Sequence, residues 1–131
     1  MVLAAFLRVG LNVLVPWRSD LAYDLVVSGD DQRYFRVQCK SGRERGGALE
    51  FNSRSTDHGA GQRDCHGRAD VFGVYCPTLD ETFVVPVESA GRGLTSLRLR
   101  PALNSQVRRT RLAEEHTVER WVERLLLDIA A

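Results

Sequence analysis

The chain has 131 residues, 44% of them hydrophobic, enough apolar material for the core of one domain spanning 1–131. No run reaches the ~20 apolar residues of a membrane span, and a net charge of +1 does not by itself mark a nucleic-acid binder. Charge is nevertheless segregated: six arginines and no acid lie between Ser89 and Ala113, and Glu44 alone opposes five cations in 33–45.

In chain order, Val2, Leu3, Phe6 and Leu7 lie at helical spacing, with Gly10 placed to stop the helix. Asn12–Val15 reads as a brief strand ended by Pro16. Tyr23, Leu25 and Val27 alternate with polar or smaller neighbours, and Phe35, Val37 and Cys39 alternate with Tyr34, Arg36, Gln38 and Lys40. These are two strands of period two, joined by the turn residues Ser28-Gly29-Asp30-Asp31-Gln32. A hairpin centred near Asp31 sets Asp24 opposite Gln38 or within one step of it. Residues directly opposite have Cβ atoms roughly 4.5–5.5 Å apart, so Asp24, Gln38 and Lys40 are expected on one face. Leu25, Val27, Val37 and Cys39 face the core.

Ala48–Phe51 predicts a short strand, whereas 52–68 has no period and reads as a long surface loop. Val71–Cys76 and Thr82–Val87 predict a second hairpin, and Leu94–Leu99 an edge strand. Val118, Trp121, Val122, Leu125, Leu126 and Ile129 form the clearest helical stripe, capped by Thr117, with Glu119, Arg120, Glu123 and Arg124 on its solvated face. Trp17 and Tyr23 are read as core residues.

Cys39, Cys65 and Cys76 form no CxxC, and His58, Asp64, Cys65 and His66 match no paired zinc-ligand spacing. The apolar stretch 1–16 is interrupted by Arg8 and Asn12 without a small-residue cleavage site, so a cytoplasmic chain with reduced thiols is expected. Lys40 is the only lysine; every other cation is an arginine. Lysine is a compact point charge whose pKa can move, whereas arginine is a permanent fork. A carboxylate, an amide oxygen and an ammonium on one sheet face suit metal-assisted phosphodiester hydrolysis. Asp24 and Gln38 are hard donors of the kind Mg²⁺ prefers, and Lys40 is placed to assist the attacking water. Arg43, Arg45, Arg98, Arg100, Arg108 and Arg109 are the candidate phosphate contacts.

Asp24 followed by Gln38-Cys39-Lys40 on the next strand resembles the PD-(D/E)xK nuclease superfamily, in its glutamine variant. Gly10–Pro16, Tyr23-Asp24-Leu25, Arg36–Arg43, Asp70–Pro77 and Val84–Pro86 extend the resemblance to a small family that includes bacterial group I intron homing endonucleases. The resemblance implies an α/β, restriction-endonuclease-like core, a mixed but mostly antiparallel sheet flanked by helices. It further implies Mg²⁺-dependent cleavage of double-stranded DNA, with Asp24, Gln38 and the Cys39 carbonyl as metal ligands and Lys40, Asp24 and Gln38 as the catalytic set. A homo-oligomer, dimer or tetramer, is expected, because a long site is read most simply by symmetry. Alternatives are a catalytically impaired DNA-binding remnant and a branched-DNA resolvase on the same core. Related nucleases usually carry a glutamate on the first helix, but none of the nine residues before Gly10 is acidic. The expectation is a domain truncated in its first helix, with Asp20 and Glu50 as positional candidates for the carboxylate. The second departure is 52–68, read as a DNA-facing loop where a superfamily core often has a helix.

Overall fold

The computed structural model describes residues 1–18, 20–57, 61–64, 67–91, 93–99 and 112–130. Helix α1 spans Val2–Arg8 and stops as its sequence predicts. Gly10 adopts φ 83°, a left-handed conformation that glycine reaches without a Cβ penalty. Its N–H donates to the Leu7 carbonyl at 3.1 Å, and the Leu11 N–H to the Phe6 carbonyl at 3.2 Å. Both bonds satisfy carbonyls that the helix end would otherwise strand. Val2 and Phe6 are buried, while Leu3 and Leu7 remain exposed.

The main sheet has five strands in the order β1 (Asn12–Leu14), β2 (Leu25–Ser28), β3 (Phe35–Ser41), β8 (Val71–Cys76) and β9 (Glu81–Pro86). Its pairs are antiparallel except the central β3–β8 pair, which is parallel. Val27 pairs with Phe35, so the β2–β3 hairpin is centred on Asp31, whose φ is 56°. Asp30 Oδ1 accepts the N–H groups of Gln32 and Arg33, each at 3.0 Å, and fixes the turn. Where β3 meets β8, the Asp70 carboxylate accepts the Arg36 N–H at 2.7 Å and its guanidinium at 3.1 and 3.2 Å. Burial alone would raise the Asp70 carboxyl, but these bonds and the Arg36 charge bring it below the ordinary range.

Each face of this sheet is covered differently. Val27, Val37, Val71 and Val84 pack under α1 and under α2 (Val118–Ala130), whose Val118, Trp121 and Leu125 are buried. Trp121 meets Phe6 and Phe35 edge-on, at centroid separations of 6.0 and 5.2 Å. Close approach of α1 requires Gly73: a Cβ there would lie 2.6 Å from Val2 Cγ1 and 3.1 Å from Val37 Cγ1. On the other face, Phe72, Val74, Phe83 and Val85 pack against Leu49, Phe51 and Leu97. These belong to a second sheet of β10 (Leu94–Arg98), β5 (Ala48–Asn52) and β4 (Arg43–Arg45), in that order. Helices therefore flank one face of the main sheet, and a second sheet covers the other.

Three readings change. Within 52–68, the chain is a hairpin rather than a loop: β6 (Arg54–Asp57) pairs antiparallel with β7 (Gly61–Asp64). Trp17 is wholly exposed, because none of the described elements folds back over the stretch after Pro16, whereas Tyr23 does pack on the core. Leu126 lies on the solvent side of α2, 59% exposed, and the Ile129 side chain lies outside the described residues. Thr117 caps α2 as expected, its Oγ1 accepting the Arg120 N–H at 3.3 Å. Glu119, Arg120, Glu123 and Arg124 are exposed.

Candidate active site

Asp24 stands one residue before β2 and, because Leu25 pairs with Val37, faces Gln38 across the ladder. Its N–H donates to the Val37 carbonyl at 2.7 Å, extending the pairing beyond the strand. Gln38 Nε2 donates to Asp24 Oδ2 at 3.0 Å, and the Cys39 N–H donates to the same oxygen at 2.8 Å. The carboxylate is exposed yet held by two donors. A carboxylate offers about four acceptor sites, so Asp24 keeps capacity for a further partner, and Gln38 carries its oxygen on the other arm of the amide. With the Cys39 carbonyl, this is a set of hard oxygen donors that fits a divalent cation. Among the described residues, no three His, Cys, Asp or Glu side chains gather around one point. The Cys39 thiol belongs to the opposite face. Burial, then the Asp24 charge, pushes it up to about 11.

Lys40 lies two residues beyond Gln38, on the same face of β3. Its ammonium donates to the Arg54 carbonyl at 2.6 Å and lies 6.0 Å from the Phe72 ring centroid. Arg54 opens β6, so the lysine bridges the main sheet to the start of the third hairpin. A cleft of about 570 Å³ adjoins this point, lined by Ser41, Arg43, Glu50, Asn52 and Arg54 among others.

The sequence matches the PD-(D/E)XK endonuclease family over residues 1–119. The chain belongs to that family. Among solved structures it is similar to a bacterial homing endonuclease, I-Ssp6803I, at 26% identity and a TM-score of 0.66, covering 98% of this chain and 86% of that one. No curated protein matches the chain. The family and this likeness give the restriction-endonuclease-like fold that the sequence implies, and they place the chain among the endonucleases. Among the described residues, no helix is long and apolar enough to cross a membrane.

The remaining candidate residues of this endonuclease divide cleanly. In the second sheet, Arg43 pairs with Glu50, which pairs with Ser96; Arg45 pairs with Ala48, which pairs with Arg98. The row between them, Glu44, Leu49 and Leu97, turns its leucines into the core. Strand alternation therefore sends Arg43, Arg45 and Arg98 to the outer face together. Arg100, Arg108 and Arg109 lie outside the described residues, as do His58, Cys65 and His66; of Asp64 only the backbone is described. Arg36 is committed to Asp70 and Arg33 stacks on Phe35, 5.4 Å from the centroid. Of the two positional candidates for a further carboxylate, Asp20 pairs with Arg18, whereas Glu50 lies 3.8 Å from Arg43 and lines the cleft beside Arg54. Sequence reading did not single out Asn52 or Arg54, because both fall where no period exists and Arg54 meets Lys40 through its backbone carbonyl.

Proposed function

We propose that the chain is a Mg²⁺-dependent endonuclease that hydrolyses phosphodiester bonds of double-stranded DNA, acting as one domain over 1–131. The reading rests above all on the 3.0 Å bond between Gln38 and Asp24, with Lys40 on the same face of β3. Asp24, the Gln38 amide oxygen and the Cys39 carbonyl would hold the cation. When bound, Mg²⁺ supplies charge neutralisation at the phosphate and a more acidic water. Asp24 is fixed by its two N–H donors, so the ligand geometry is set before substrate arrives. The Lys40 ammonium would orient the attacking water or balance charge on a phosphate oxygen. Arg43, Arg45 and Arg98 form the phosphate-binding face, and Arg100, Arg108 and Arg109 remain further candidate phosphate contacts by sequence alone. The homing-endonuclease likeness supports DNA as substrate, and a homo-oligomer is the form suited to a long site.

Supercoiled plasmid incubated with the protein in Mg²⁺ and in EDTA tests the reading. Nicked and linear DNA in Mg²⁺ alone is the expected result. DNA binding without cleavage in either buffer would assign the chain to the impaired DNA-binding reading instead.

A further inference from the structure

Ser53 and Thr95 are each only 2% exposed, yet both keep a hydroxyl inside an otherwise apolar layer. A buried hydroxyl costs stability unless it is hydrogen-bonded, and a methyl would fill the same space. Here the two hydroxyls bond each other. Thr95 Oγ1 also accepts the Gly91 N–H at 3.1 Å, and the Ser53 N–H donates to the Gly93 carbonyl at 2.6 Å. One residue on, the Arg54 N–H donates to Asn52 Oδ1 at 2.9 Å, the geometry of a side-chain-capped turn. All these bonds fix one short segment, and the Arg54 carbonyl of that segment holds the Lys40 ammonium at 2.6 Å.

We infer that Thr95, Ser53 and Asn52 are positioning residues for Lys40, acting through the Arg54 carbonyl. A lysine side chain has a long flexible stem with many rotamers, so an unanchored ammonium spends little time in one working geometry. A bond to a rigid carbonyl narrows the arc that the ammonium can sweep. The Phe72 ring, with its centroid 6.0 Å from the ammonium, borders the same position. Such orientation affects the rate at saturating substrate more than affinity, because DNA is held elsewhere, on the arginine face. This inference rests on the catalytic role proposed for Lys40.

The single lysine makes the test direct, since the chain gives one lysine ammonium signal in ¹H–¹⁵N spectra. Thr95→Val removes the hydroxyl at nearly constant shape, and Thr95→Ser retains it. With Thr95→Val, the ammonium signal should shift or broaden, and single-turnover cleavage at saturating DNA and Mg²⁺ should slow by about ten-fold or more. DNA affinity should stay within about two-fold, and Thr95→Ser should restore both signal and rate. A folded Thr95→Val with an unchanged signal and rate would overturn the inference. Should Thr95→Val fail to fold, the exposed Asn52→Ala is read in the same two assays by the same criteria. If Lys40→Ala cleaves like wild type while the signal still moves in Thr95→Val, the functional reading fails and the positioning geometry stands.

Discussion

At the residue scale, the proposed metal site centres on one well-held carboxylate. Asp24 is the anion of the proposed oxygen set, so Asp24→Asn should raise the Mg²⁺ concentration needed for cleavage. The increase should exceed the about 10–100-fold typical of a group that only supports a ligand. An unchanged Mg²⁺ titration would remove Asp24 from the ligand set. That Asp24 faces Gln38 was legible from alternation and turn chemistry alone, because a one-residue slip would turn Val27 and Val37 out of the core. The partner of Lys40 was not legible. Its acceptor is a main-chain carbonyl, which any residue supplies, so no side chain in 52–54 announces it.

At the element scale, the periodic strands and α2 were readable because burial of one face imposes a period. The second sheet was only half readable. Arg43–Arg45 is exposed throughout and has no apolar alternation; it becomes a strand because β5 offers it a ladder. The β6–β7 hairpin escaped for a similar reason, since its residues carry no apolar stripe. Two substitutions test what holds the main sheet together. Gly73→Ala forces a Cβ against Val2 and Val37 and should cost about 1–3 kcal/mol in urea unfolding. Asp70→Asn weakens the clasp between β3 and β8, and should cost about 1–3 kcal/mol at neutral pH. The Asp70 carboxyl is lowered in the folded state, so its contribution is complete above the ordinary value of 3.8 and is lost as pH falls through the lowered one. The stability gap between wild type and Asp70→Asn should therefore close below that value; a gap that persists or widens there would contradict the assignment.

At the scale of the whole molecule, the proposed chemistry and the proposed DNA-holding surface fall on different layers. The Asp24–Gln38–Lys40 face belongs to the main sheet, and Arg43, Arg45 and Arg98 share the outer face of the second. Near-neutral net charge hid this division, but the segregation of arginines along the chain hinted at it. Replacing Arg45 or Arg98 by alanine should weaken DNA binding and flatten the dependence of log affinity on log salt, by about 0.9 for each phosphate no longer neutralised. Unchanged salt slopes for both would remove this face from the interface. The central claim is that Lys40 serves phosphodiester cleavage rather than binding or folding. The most direct measurement is cleavage of supercoiled plasmid by wild type and Lys40→Ala in Mg²⁺, with DNA affinity measured alongside. We expect a loss of about 10²–10⁴-fold in rate with affinity nearly unchanged. Cleavage by Lys40→Ala at the wild-type rate would contradict the assignment.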